Sequence, residues 1–107
     1  MSERRHIMGV DPSLACTGIV VVVEDGDMLT PVHAEVVRSA STAKRLRRGV
    51  GVDDAMRAAA LAESIAGCLR ECRVDVLAVE LPSGSQSARA ARTAGICIGV
   101  LGTVAAM

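Results

Sequence analysis

The sequence predicts an α/β domain built on a mixed sheet, with its elements in the order βββαβα. Three observations predict it. Short β-branched runs separated by turn signals fill the first third of the chain. An apolar ridge at helical spacing occupies residues 58–72. A second strand-then-helix pair follows that ridge. The 107 residues fit one domain, 1–107, and half of them are hydrophobic, which excludes wholesale disorder.

Each element has its own signal. Ile7-Met8-Gly9-Val10 is an apolar run that stops at Asp11-Pro12, so it reads as a buried strand ending in a turn. Thr17 to Val23 is β-branched and nearly continuous, a second buried strand. Asp25-Gly26 is a hairpin signal, and Leu29 to Val37 returns as a third strand. Pro31 near its start suits an edge position, because proline gives no N–H to a neighbouring strand. Residues 39–52 form a basic connector. Asp53 or Asp54 opens a helix running to about Arg73, with Ala58, Leu61, Ile65, Leu69 and Cys72 as its apolar ridge and Arg57 and Glu63 off it. Val74 to Val79 is the fourth strand and ends at Glu80. Ser83 or Ser85 caps a last helix running through Ala88, Ala91, Ile96 and Val100.

Composition limits what the chain can do. It has no Trp, Tyr or Phe, so the core is Val, Ile, Leu, Ala, Met and Cys. With no aromatic platform for stacking bases, the usual single-strand and RNA-binding modules are disfavoured. Net charge is zero, but its layout is uneven. Arg38, Lys44, Arg45, Arg47 and Arg48 stand together with no acid among them, and Arg89 and Arg92 are the only charges after Glu80. Such a segment can hold phosphates even in a neutral protein. The four cysteines form no C-x-x-C, and His6 and His33 are distant from them in sequence. They are expected to be reduced and packed. The N-terminal residues carry no signal-peptide pattern, so a reducing, cytoplasmic location is expected. Ala94 to Met107 is uncharged, but a spanning helix needs about 20 residues, so the stretch reads as a buried helix.

Strands one and four each end in a carboxylate, Asp11 and Glu80. Ligands of open α/β sheets gather beyond the carboxyl ends of parallel strands, and parallel neighbours would set these two side by side. Paired carboxylates repel unless a cation lies between them, and an oxygen-only pair suits Mg²⁺ or Mn²⁺. Such a metal can activate water for phosphodiester cleavage. The alternative is structural: Asp before Pro starts turns, and Glu80 before Leu81-Pro82 can simply end a strand.

Val10-Asp11-Pro12-Ser13-Leu14-Ala15-Cys16-Thr17-Gly18 resembles the first catalytic motif of RuvC-type Holliday junction resolvases, in which Asp-Pro is followed by a few variable residues and Thr-Gly. Val76-Leu77-Ala78-Val79-Glu80 resembles their second motif, an apolar strand ending in a catalytic Glu. The segment Pro82 to Ala88 is similar to the turn into the next helix of phage RuvC-like proteins. The resemblance covers about residues 7–100. It implies an RNase H-like fold, metal-dependent nicking of four-way DNA junctions, and homodimers. Asp11 and Glu80 would be metal ligands and catalytic residues. Gln86 and Arg89 would lie near DNA; on charge alone, Arg92 and the basic Lys44, Arg45, Arg47 and Arg48 could also hold a polyanion such as DNA.

The sequence also departs from that family. Further acidic ligands are expected on a fifth strand and final helix, and no Asp, Glu or His follows Glu80 here. Ser13 stands where the family usually has Gly, and no aromatic lies near the second motif. The chain therefore looks like the N-terminal two-thirds of such an enzyme, without the final strand and helix. It is expected to have little or no nuclease activity alone, and its fourth strand is expected to offer an unpaired edge. Two other classes fit less well. One is a non-catalytic DNA-binding or assembly remnant of the fold. The other is a phosphate-binding fragment of the actin, Hsp70 and sugar-kinase group, whose glycine-rich loop has no counterpart in Asp11-Pro12-Ser13-Leu14-Ala15.

Overall fold

The structure, a computed structural model, describes residues 3–39, 49–80 and 87–107, with backbone only at 50, 51 and 89. Its elements are β1 (Arg4–Asp11), β2 (Cys16–Asp25), β3 (Met28–Arg38), α1 (Val50–Glu71), β4 (Val76–Val79) and α2 (Ala88–Ala106). This is the expected order. The sheet runs β3-β2-β1-β4, with β4 parallel to β1 and the other pairs antiparallel. The fold is a mixed sheet with two helices.

Strands β1 and β2 are longer than their apolar runs because charged ends pair across the sheet, whereas β4, expected from Val74, begins at Val76 because the Val74 N–H is taken up by the end of α1. Arg4 meets Asp25 and Arg5 meets Glu24, which carries the β1–β2 ladder three residues beyond Ile7. Asp25 pairs with Met28, so the hairpin loop is Gly26-Asp27, and Gly26 takes φ 60°. Glycine reaches that region without steric cost. β3 is an edge strand, as Pro31 suggests. A bulge at Val32 shifts its register between Val21 and Val22.

The helices cover one face of the sheet. Met8, Val10, Ile19 and Val21 point toward Leu61, Ile65 and Cys68 of α1 and Cys97 and Leu101 of α2, all buried. Strand alternation sends Gly9, Gly18, Val20, Ala34 and Val36 to the other face, which is open: Val20 is 44% exposed and Val36 49%.

Helix ends differ from the sequence reading in instructive ways. α1 starts at Val50, three residues before Asp53, with Gly49 at its N-cap and no side-chain cap; Asp53 instead lies in the first turn. It ends in paired backbone bonds, Val74 N–H to Leu69 carbonyl (3.0 Å) and Arg73 N–H to Arg70 carbonyl (3.3 Å), with Arg73 at φ 51°. This is the left-handed helix stop usually made by glycine. α2 is capped by Ser87, whose Oγ accepts from the Ala90 N–H at 3.1 Å. Ser83 and Ser85, the expected caps, lie outside the described residues. Ala88 and Ala91 are exposed, so the ridge that packs is Cys97 and Leu101 with Ile96, Val100 and Val104 beside them. Three of the cysteines are buried or half-buried, but Cys16 is exposed, because it opens β2 at the rim of the sheet.

Candidate active site

Asp11 is the last residue of β1, and Glu80 follows the last residue of β4. Val10 pairs with Val79 at the end of the parallel ladder, where the Glu80 N–H donates to the Val10 carbonyl at 3.4 Å, and Asp11 and Glu80 are the next residue on each strand. Asp11 and Glu80 are therefore lateral neighbours on strands about 4.8 Å apart. Paired residues share a face, so both carboxylates belong to the open side, opposite buried Val10 and half-buried Val79. Both residues are exposed.

The Thr-Gly of the first motif has a clear local purpose. Thr17 is fully buried, and its Oγ1 donates to the Ser13 carbonyl, closing the turn that follows Asp11. Gly18 pairs with Asp11 across the ladder. A Cβ at Gly18 would sit 3.8 Å from the Asp11 Cβ, so glycine keeps free space beside the carboxylate. Leu14 plugs the turn into the core at 4% exposure.

Two residues that sequence reasoning passed over hold this turn from outside. Ser39 donates through its N–H to the Ala15 carbonyl (3.0 Å) and through its hydroxyl to the Leu14 carbonyl (2.6 Å). Arg57 of α1 donates to the Ser39 Oγ at 2.9 Å. Arg57 was legible only as a position off the apolar ridge; its long stem lets it reach the loop. The turn after Asp11 is thus tied to the end of β3 and to α1.

The donor set fits a hard divalent cation. Asp11 and Glu80 give oxygen only, are reachable by solvent, and leave remaining positions to water or phosphate, as Mg²⁺ prefers. Among the residues expected to contact DNA, Arg92 is half exposed and pairs with Asp54 at 3.4 Å, tying α2 to the start of α1. Arg89 lies in the first turn of α2. Lys44, Arg45, Arg47, Arg48 and Gln86 lie outside the described residues.

A second group of polar side chains stands on the helix face. His33 and Glu35 of β3 meet Cys68 of α1, their donor atoms all within 4.8 Å of one another. Cys72 adds its sulfur 3.9 Å from that of Cys68. Sequence distance had set the histidines apart from the cysteines; the packing of α1 over the edge strand brings His33 to Cys68. Burial, then the Cys72 and Glu35 side chains, push the Cys68 thiol up from an ordinary 9.0 to about 12. Burial also raises the Cys97 thiol.

No protein-family model matches the sequence, and no curated protein does. Solved structures do. Thermus thermophilus RuvC in complex with Holliday junction substrate is 20% identical, with TM-score 0.77 over 94% of this chain and 58% of that chain. Thermus thermophilus RuvC gives TM-score 0.74 at 20% identity, covering 94% of this chain and 57% of that one. The Aquifex aeolicus PPX-GPPA enzyme is more distant, with TM-score 0.57, 15% identity, and coverage of 95% and 32%. This chain thus spans less than two thirds of the RuvC chains it matches. No helix of the described residues is long and apolar enough to cross a membrane. The mixed four-stranded sheet with its two helices is the RNase H-like fold of RuvC, over the part of that fold these residues span.

Proposed function

We propose that this chain carries the first two metal-binding carboxylates of a structure-specific DNA endonuclease, a phosphodiester hydrolase of the crossover-junction type acting on four-way junctions. The observation that carries the reading is the parallel register of β1 and β4, which makes Asp11 and Glu80 neighbours at the carboxyl end of the sheet. The RuvC structure similar to this chain was solved on a Holliday junction, which supports the choice of substrate.

Asp11 and Glu80 would hold Mg²⁺ or Mn²⁺. Such an ion lowers the pKa of bound water and stabilises the leaving oxygen of a phosphodiester. The protein's own part is positional. Thr17, Ser39 and Arg57 fix the turn after Asp11, and Gly18 leaves room beside it. The basic segment 38–48 and the start of α2 would hold DNA backbone phosphates, and two copies would engage the arms of a junction. Arg92 contributes less than a free arginine, because Asp54 already faces it.

A second reading has one observation in its favour. The β1–β4 register brings together two carboxylates, Asp11 and Glu80, and Mg²⁺ held by two carboxylates keeps most of its waters and is bound weakly. In that reading the 107-residue chain binds DNA without cutting it. The two readings are separated by incubating labelled four-way junction and matched linear duplex with the chain, Asp11→Asn and Glu80→Gln, in Mg²⁺ and then Mn²⁺. Junction-selective cleavage lost in both variants supports the nuclease reading. Junction-selective binding without cleavage supports a nuclease core that needs further ligands. Binding that tracks only phosphate density refutes junction recognition.

A further inference from the structure

We propose that His33, Glu35, Cys68 and Cys72 form a binding site for a borderline divalent cation of the Zn²⁺ class, joining edge strand β3 to helix α1. The site is separate from the Asp11–Glu80 pair. His33 and Glu35 pair with buried Val21 and Ile19, so they stand on the helix side of the sheet, while Asp11 and Glu80 belong to the open side.

The first argument is the donor set. One imidazole, one carboxylate and two thiols suit Zn²⁺, whereas Mg²⁺ takes oxygen ligands. The second is spacing. Tetrahedral bonds of about 2.0–2.3 Å put neighbouring donors about 3.3 Å apart for a nitrogen–oxygen pair and about 3.8 Å for two sulfurs. His33 Nε2 lies 3.2 Å from Glu35 Oε1, and Cys68 Sγ lies 3.9 Å from Cys72 Sγ. Each element thus presents two donors already near the edge length of a coordination tetrahedron, and the strand pair faces the helix pair within 4.8 Å at Cys68.

The third argument is convergence and access. Buried Cys68 has a second thiol 3.9 Å away and the Glu35 carboxylate within 4.8 Å, so the polar donors converge on one point at the edge of the core. A cation at that point would be held by thiolates, since coordination favours the deprotonated sulfur. Binding replaces the thiol protons of Cys68 and Cys72, so up to two protons leave as the metal–sulfur bonds form. The His33 and Glu35 side chains are 39% and 38% exposed, which gives an ion a path from solvent to the buried sulfur. Bound metal would fasten β3, which among the described residues pairs only with β2, to α1.

The test uses the whole reduced chain, stripped with a chelator and titrated with Co²⁺. With no aromatic residue, the near-ultraviolet spectrum is open for a thiolate-to-cobalt charge-transfer band. One equivalent of Co²⁺ is expected to raise that band with tetrahedral visible absorption, Zn²⁺ to displace it and Mg²⁺ to leave it. Cys68→Ser and Cys72→Ser should abolish the band, and Cys16→Ser and Cys97→Ser should retain it. His33→Gln and Glu35→Gln change half-exposed side chains and leave the core intact, and each should weaken Co²⁺ binding at least tenfold with the helical circular dichroism unchanged. Absence of the band overturns the proposal, as does a band indifferent to Cys68 and Cys72. A band that needs the cysteines but ignores both His33→Gln and Glu35→Gln also overturns it, since the strand then supplies no ligand.

Discussion

Raising pH should destabilise the metal-free chain through its buried thiols, and this protein is unusually suited to showing it. It has one lysine, Lys44, and no tyrosine, so few other side chains obscure the ionisation of buried Cys68 and Cys97. Cys68 is 4% exposed and its thiol is pushed from 9.0 to about 12. The folded state therefore binds this proton more tightly than the unfolded state. The stability this gives is fully present below pH 9 and is lost as pH rises toward 12. The slope approaches about 1.4 kcal/mol per pH unit in that window, so Cys68 alone costs about 2–3 kcal/mol by pH 11. Cys97, also raised by burial, adds in the same direction. Against a total of roughly 5–15 kcal/mol the loss is large. Urea midpoints in reductant and chelator, taken at each half unit from pH 8 to 11, would show it. Thiolate absorbance in the far ultraviolet would follow ionisation directly. Cys68→Ala should flatten the fall to what Cys97 provides. A midpoint that stays level across the window, or an identical slope in Cys68→Ala, would refute the reasoning.

Other perturbations follow from single contacts. Thr17→Val keeps shape but strands the Ser13 carbonyl, so it should cost about 1–3 kcal/mol in urea unfolding and loosen the turn after Asp11. Arg73→Gly relieves a left-handed arginine at the end of α1 and should raise stability by up to about 1 kcal/mol, read as a higher melting temperature; a drop would contradict the assigned helix stop. Ser87→Ala removes the α2 cap and should cost about 1 kcal/mol, whereas Ser87→Asp should retain most of it. β4 pairs only with β1 among the described residues, and beside it lies an open face bearing Val20, Val36 and Val76, so sedimentation should show concentration-dependent self-association. Val20→Lys should weaken it, and a clean monomer at high concentration would count against both surfaces.

The parts of the fold that sequence shows are those written in local pattern. Asp11 and Glu80 stood out because each ends an apolar run; the first run supplies buried Met8 and Val10, while the second forms β4 at the sheet's edge, with Leu77 and Val79 only partly buried. Helix α1 was legible from the ridge Leu61, Ile65 and Leu69, but its start was not, because Gly49 provides no capping side chain. The α2 cap was expected at Ser83 or Ser85, and the structure instead has Ser87, whose Oγ accepts from the Ala90 N–H. Arg57 and Ser39 were invisible as a pair, since 18 residues separate them and a hydrogen bond unites them.

The His33–Cys68 meeting has a cause that can be traced. Before the Val32 bulge, Thr30 pairs with Val23; after it, His33 pairs with Val21. The extra residue shifts the parity of β3, so His33 and Glu35 turn toward α1 instead of solvent. Without the bulge the odd-numbered residues that follow would face the open side, and the cluster would not form. The same alternation places Asp11 and Glu80 opposite to it. One sheet thus separates an oxygen-only pair from a sulfur-containing group by the side of the pleat each occupies. The chemistry of the donors then keeps their ions apart: Mg²⁺ has little use for thiols, and Zn²⁺ favours them. If both sites operate, chelation followed by Mg²⁺ alone should restore any phosphodiester cleavage while leaving β3 unfastened from α1. A change at Cys68 should then alter stability without altering the metal dependence of cleavage, and a change at Asp11 should do the reverse.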